Sequence, residues 1–232
     1  MATFVLVHGA WHGAWCWRRV EKLLRAKGHD VFVPTLTGVA DRAHLMSANI
    51  DVNTHIADVV NLVKWEGLKD IVLVGHSYGG VVISGIAEKI EKSISSIVFL
   101  DAFLPENGQR MTDLTVAQTR DLIDAAQAKG DLGVAPRSAA SFNVNEKDRA
   151  WADAQCTPQP IRTLTQIVSL TGARDRIAKK SYIRAAGYPN EPFDLAKAKA
   201  TKNGWRVYDC NCGHDVMLDM PERLADILME VA

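Results

Sequence analysis

The densest chemical signal in the chain is Gly75-His76-Ser77-Tyr78-Gly79, a Gly-x-Ser-x-Gly pentapeptide. An apolar run, Ile71–Val74, precedes it, and Ile83, Ile86, Ala87 and Ile90 follow at helical spacing. A serine on such a strand-to-helix turn needs small neighbours two residues to either side, and its hydroxyl then projects above the sheet edge. The helix N-terminus behind it offers N–H groups and a partial positive charge to a developing oxyanion. A serine hydroxyl is a poor nucleophile at neutral pH and needs a positioned base.

On this kind of turn the acid and the histidine follow the serine along the chain. Of the seven histidines only His214 does so, in the polar loop Asn211-Cys212-Gly213-His214-Asp215. A carboxylate must hold the imidazole tautomer and stabilise the imidazolium. Asp175 and Asp101 both qualify, at the ends of the runs read as the fifth and fourth strands. Asp175 is favoured, although Arg174 and Arg176 flank it and compete for it. Asp209 ends the strand that feeds His214 and is poorly placed to face it. A second backbone donor for an oxyanion belongs in the loop after the first strand, His8-Gly9-Ala10-Trp11-His12-Gly13, where glycines permit close approach. The N–H groups of Ala10 and Tyr78 are the expected pair. His8 reads as a structural residue beneath that loop.

These residues need a scaffold that brings strand ends together. Phe4–Val7, Val31–Val33, Ile71–Val74, Ile97–Leu100, Leu164–Leu170 and Trp205–Tyr208 read as six strands. Helical patterns alternate with them: Trp17, Val20 and Leu24, closed near Gly28; Ile56, Val59, Val60 and Val63, capped by Asn53 or Thr54; and Leu224, Ile227, Leu228 and Val231. Alternation of this kind implies an α/β fold, a parallel sheet with helices on both faces. Residues 105–160 break the rhythm with helical patches at 115–129 and 146–155. The expected division is a core of 1–104 and 161–232 with a helical cap, 105–160, inserted after strand four. Trp11, His12, Phe103 and Trp151 are the expected substrate-binding residues, with Phe142, Leu114, Leu122 and Tyr78 as further wall candidates for an apolar pocket.

Composition excludes other classes. Lys plus Arg and Asp plus Glu both number 27, and no long basic run offers a nucleic-acid footprint. No stretch approaches the roughly 18 apolar residues of a membrane span. Cys16, Cys156, Cys210 and Cys212 are too few for a disulfide framework in a chain of 232 residues. Cys210, Cys212 and His214 tempt a zinc reading, but no second ligand pair follows, so no metal is expected. Met-Ala-Thr runs straight into Phe4–Val7 without a basic segment, so a cytoplasmic location is expected. Near-zero net charge leaves room for a homodimer.

Phe4–Trp17, Gly75–Gly80, Val98–Pro105 and Gly213-His214-Asp215 together resemble the α/β-hydrolase superfamily. More narrowly they resemble its branch of small esterases, plant methylesterases and hydroxynitrile lyases. The resemblance implies a six-stranded parallel sheet of order 2-1-3-4-5-6 with a helical cap after strand four. It also implies Ser77 as nucleophile, His214 as base and Asp175 as acid, with no cofactor. The lyases of this branch carry threonine where this chain has Gly9 and lysine where it has Asp215. An aspartate beside departing cyanide would oppose the anion, so hydrolysis of small to medium apolar esters through an acyl-enzyme is the expectation. Rivals are a hydroxynitrile lyase, a lactone or amide hydrolase, and a non-catalytic ligand receptor on the same fold. Asp215 also departs from the methionine common in plant methylesterases, so no plant-hormone substrate is carried over.

Overall fold

Thr3–Val7 forms strand β1 in the computed structural model, which describes residues 1–232. Helix α1 (Arg18–Ala26), β2 (Asp30–Phe32), α2 (Val52–Trp65), β3 (Ile71–His76), α3 (Gly79–Ile90) and β4 (Ile94–Leu100) follow. Every residue of β3 is buried, as a continuous apolar run requires when both faces of a sheet are covered. Each fully buried Val, Leu or Ile contributes about 1.5–3 kcal/mol. The cap of α2 is Asp51, two or three residues earlier than the expected Asn53 or Thr54. Its carboxylate accepts from the N–H groups of both, and the Thr54 side chain answers as a capping box.

After Leu100 the chain leaves the sheet and returns only at Lys179. The excursion holds α4 (Met111–Leu114), α5 (Ala117–Lys129), β5 (Gly133–Val134), α6 (Glu146–Gln155), β6 (Gln159–Pro160), α7 (Ile161–Thr165) and α8 (Ala173–Arg176). Strands β5 and β6 pair as a two-stranded antiparallel sheet of their own. The main sheet then closes with β7 (Lys179–Ala185), α9 (Glu191–Lys202), β8 (Arg206–Cys210), α10 (Val216–Asp219) and α11 (Pro221–Glu230). Its six strands are all parallel, in the order β2-β1-β3-β4-β7-β8. That is the α/β-hydrolase order 2-1-3-4-5-6 once the small sheet is set aside. Helix α1 packs with α11 and α2 with α3, flanking the sheet. No helix is long and apolar enough to cross a membrane.

One strand differs from the sequence reading, and the difference matters. Leu164–Leu170 is not the fifth strand of the main sheet. Its first residues end α7, and Ile167 is exposed. The strand is β7, Lys-Lys-Ser-Tyr-Ile-Arg-Ala, which escapes an apolar-run criterion because it carries three cations. Its first residue pairs with Ser96 near the start of β4, and Ile183 pairs with Leu100 at the end. Asp175 therefore precedes the strand and sits at the sheet's N-terminal edge. Ser77 and Asp101 follow strand C-termini, at the opposite edge.

Candidate active site

Ser77 occupies the turn between β3 and α3 with φ of +54°. That left-handed conformation costs a residue with a Cβ of order 1–3 kcal/mol and persists only where surroundings enforce it. Here the Ser77 N–H donates to the Leu100 carbonyl and its own carbonyl accepts from Phe103. The turn is tight enough that a Cβ on Gly75 would lie 2.6 Å from the Gly79 carbonyl oxygen. Trp11 (φ +66°) and Asp101 (φ +42°) share the strained conformation beyond β1 and β4.

His214 lies in the loop after β8, and its N–H donates to the Phe142 carbonyl. Its Nδ1 donates to Asp101 Oδ2 at 2.6 Å. The other Asp101 oxygen accepts from Arg184 Nη1 at 2.8 Å and from the Ala185 N–H at 3.0 Å. Asp101 is wholly buried. Phe193 lies nearly parallel to the imidazole at 5.2 Å between centroids, and Tyr188 packs at 5.0 Å. Asp175 takes no part. Its carboxylate is half exposed and lies 3.7 Å from Arg174 Nε. The carboxylate that meets His214 is thus Asp101 after the fourth strand and not the expected Asp175, because the strand assigned before Asp175 in fact follows it.

Ser77, His214 and Ala10 line one narrow cavity of about 30 Å³ with Trp11, Phe103 and Phe142 among its apolar walls. A wider groove of about 440 Å³ shares Phe103 and Thr115 with it, and Leu114 lies there. The N–H groups of Ala10 and Tyr78 donate to no protein acceptor, although both residues are buried. The Tyr78 ring turns away from the cavity, its hydroxyl 3.1 Å from His55 Nδ1, and burial pushes its phenol up.

The profile of the alpha/beta hydrolase family matches residues 4–227. The chain belongs to that family. Among relatives of this α/β-hydrolase is the carbendazim hydrolyzing esterase of Nocardioides sp. (strain SG-4G), 44% identical over 98% of each chain. Methylesterase 1 of Arabidopsis thaliana is 40% identical across 44% of this chain and 40% of its own length. The α/β-hydrolase is thereby of esterase type. A solved extracellular alpha/beta-hydrolase from a Paenibacillus species superposes with a TM-score of 0.88 at 25% identity, covering 100% of this chain and 99% of that one. The pyrethroid hydrolase PytH shares the fold at a TM-score of 0.77 and 20% identity, over 99% of this chain and 96% of that one.

Other expected site residues of this α/β-hydrolase fall elsewhere. His12 does not line the cavity. Its Nδ1 donates to the Ala10 carbonyl at 2.7 Å and its Nε2 to Asp215 Oδ2 at 3.1 Å. Burial opposes its charge, but Asp215 more than offsets this and raises its pKa. Burial likewise opposes the Asp215 carboxylate, yet His12 holds it well below the usual range. Trp151 packs edge-on against Trp15 at 5.1 Å with Arg19 over its face, away from the cavity. Leu122 is exposed. Trp11 lines the cavity and also ties it down: its N–H donates to Gln159 Oε1 and its indole to the Val134 carbonyl.

His76, His214 and Asp215 place ligand atoms within 4.8 Å of one another, a spacing a metal could use. Most of those atoms already hold protein partners: His76 Nε2 the His214 carbonyl, His214 Nδ1 Asp101, and Asp215 Oδ2 His12. Sequence reasoning missed Arg184, Arg137, Tyr188 and Phe193. Arg184 had one available signal, a lone cation among Tyr182, Ile183 and Ala185, where only an ion pair makes burial tolerable.

Proposed function

We propose that this α/β-hydrolase is a serine carboxylesterase for small to medium apolar esters, with Ser77 as nucleophile, His214 as base and Asp101 as acid. One observation supports it above the rest: His214 donates to a buried carboxylate at 2.6 Å while its ring faces the same cavity as the strained Ser77. The bond to Asp101 fixes the Nδ1–H tautomer and leaves Nε2 to accept the serine proton. Ser77 Oγ then bonds the carbonyl carbon, and the oxyanion is received by the Ala10 and Tyr78 amides, which have no other acceptor. His214 returns the proton to the departing alcohol. Water repeats the cycle on the acyl-enzyme and releases the acid. In this reading residues 105–160 act as a lid over the cavity.

Hydrolysis is preferred to cyanohydrin cleavage on two local grounds. A Cβ on Gly9 would lie 2.9 Å from His76 Nδ1 and 3.0 Å from Ser77 Cβ, so the threonine of the lyases would force a shift. Asp215 turns to His12 rather than to the cavity, so no cation occupies the lysine position of the lyases. What disfavours cyanide release is the lack of that cation, since Asp215 is paired with His12 and does not face a departing anion. The relative that hydrolyses carbendazim makes this methyl carbamate a first substrate to try beside simple methyl and aryl esters. A fluorophosphonate probe should label Ser77, and wild-type protein should hydrolyse 4-nitrophenyl acetate while Ser77→Ala does neither. A folded wild type that resists labelling and hydrolyses no ester would favour the receptor reading.

A further inference from the structure

Arg137 lies between β5 and the helical turn at Ala139–Phe142, and it lines the cavity that holds Ser77 and His214. Its guanidinium sits over the Phe142 ring, 4.9 Å from the centroid. Nη1 donates to Thr119 Oγ1 at 3.2 Å. No carboxylate pairs with it. The two buried arginines are both neutralised: Arg184 has Asp101 and Asp194, and Arg174 has Glu106 and Asp175. A guanidinium carries five N–H donors in a rigid fork. Here one is engaged, Phe142 lies under the guanidinium, and the half-buried side chain reaches the cavity.

The oxyanion of the reaction does not account for it, since the Ala10 and Tyr78 amides serve that atom. A general attraction for anions does not either, because the chain's net charge is zero. The charge is local, and two side chains from separate segments hold it in place. We infer that Arg137 is a specificity-determining residue, selecting esters that carry a carboxylate or similar anionic acceptor away from the scissile bond. This rests on the esterase reading and narrows its substrate class to apolar-bodied esters with one anionic group. Phe142 and Thr119 fix the fork in advance, which limits the ordering cost when the substrate's acceptor arrives.

The test compares matched esters, with and without the anion, on either side of the bond. The first pair is 4-acetoxybenzoate and 4-methylphenyl acetate. The second is the monoanion of monomethyl terephthalate and methyl 4-methylbenzoate. Each kcat/KM ratio, anion over neutral, is measured in wild type, Arg137→Gln and Arg137→Lys, so intrinsic reactivity cancels between proteins. A charge-assisted hydrogen bond predicts a fall in the ratio of about tenfold or more in Arg137→Gln for at least one pair. The anionic esters should lose more than their neutral partners, and the Arg137→Lys ratio should fall between those of wild type and Arg137→Gln. Ratios unchanged in both variants for both pairs, in proteins with wild-type melting temperature, overturn the inference and leave the esterase reading intact. Should Arg137→Gln fail to fold, the Arg137→Lys ratios decide. Failure of wild type to turn over any of the four esters removes the esterase reading and this inference with it.

Discussion

Asp101→Asn separates the two candidate acids and has a magnitude that follows from the contacts. In the native site one carboxylate oxygen faces two donors, Arg184 Nη1 and the Ala185 N–H, at 2.8 and 3.0 Å. The other faces His214 Nδ1 at 2.6 Å. An asparagine must give its only carbonyl oxygen to the two fixed donors. Its NH2 then points at His214 Nδ1 and demands an acceptor there. The imidazole responds by moving its proton to Nε2, the nitrogen that should accept from Ser77. A reversed tautomer with intact geometry costs about 10⁴ in kcat in triad hydrolases, or about 5.5 kcal/mol. Asp175→Asn, at a half-exposed carboxylate 3.7 Å from Arg174 at the far edge of the sheet, should change kcat less than twofold. The assay is kcat on 4-nitrophenyl acetate, with near-ultraviolet circular dichroism to show that both variants fold. An Asp101→Asn enzyme within tenfold of wild type, or a larger loss in Asp175→Asn, would refute the assignment.

Three further outcomes follow from the buried groups. Burial holds His8 at a pKa of about 3 and His55 at about 4, and lowers His76 in the same direction. Their unfolded value is near 6.5, so the unfolded chain binds protons that the fold refuses; the stability present above pH 6.5 should drain as pH falls toward 4, by about 1.4 kcal/mol per histidine at pH 5.5, read from urea midpoints at pH 7.5 and 5.5. His12 has the opposite sign: its raised pKa supplies stability present below pH 6.5 and lost as pH rises through the folded value. Asp215→Ala, which strands the buried Nε2 of His12, should cost about 3 kcal/mol, whereas Asp215→Asn can donate its amide to a neutral His12, loses less, and abolishes the alkaline loss; equal melting temperatures for the two variants would contradict the pairing. Gly75→Ala should cost about 1–3 kcal/mol and displace Ser77, because its Cβ would lie 2.6 Å from the Gly79 carbonyl oxygen and 2.9 Å from Ile83 Cδ1; unaltered kcat would show that the turn can relax.

The placement of Ser77, His214 and Ala10 around one cavity was legible because each position rests on a local rule. Small residues must flank Ser77, a base must follow it, and a glycine-flanked loop must follow the first strand. That Asp175 would lie away from His214 was not legible, because its placement depends on which segment becomes the fifth strand. Leu164–Leu170 shows an apolar run and Lys179–Ala185 does not. The true strand hides its β character behind Lys179, Lys180 and Arg184, and Arg184 is tolerated inside only because Asp101 and Asp194 meet it. A tertiary ion pair thus overrode the local pattern, and the error moved one carboxylate across the whole sheet. Trp151 and His12 failed for a related reason. An aromatic ring on a lid helix or beside an oxyanion loop can pack inward or outward, and only the partners, Trp15 and Asp215, decide which.

Those partners also explain how the site sustains its strain. Trp11, Ser77 and Asp101 each hold a left-handed backbone at the same sheet edge, at a cost of order 1–3 kcal/mol apiece. Each is held by bonds from another segment. Trp11 donates to Gln159 and to the Val134 carbonyl, and its own carbonyl accepts from Thr157. Ser77 is pinned between Leu100 and Phe103, and the Asp101 N–H donates to Ile183. The buried His12–Asp215 pair then links the Ala10 carbonyl to the residue after His214. Ser77, His214, Asp101 and Ala10 are therefore set by one connected network rather than by four independent loops. The consequence is directional. Loosening Gln159 or Asp215, neither of which lines the cavity, should disturb the Ala10 donor and lower kcat, whereas loosening Trp151, which packs on Trp15 and beneath Arg19 away from the cavity, should lower stability alone.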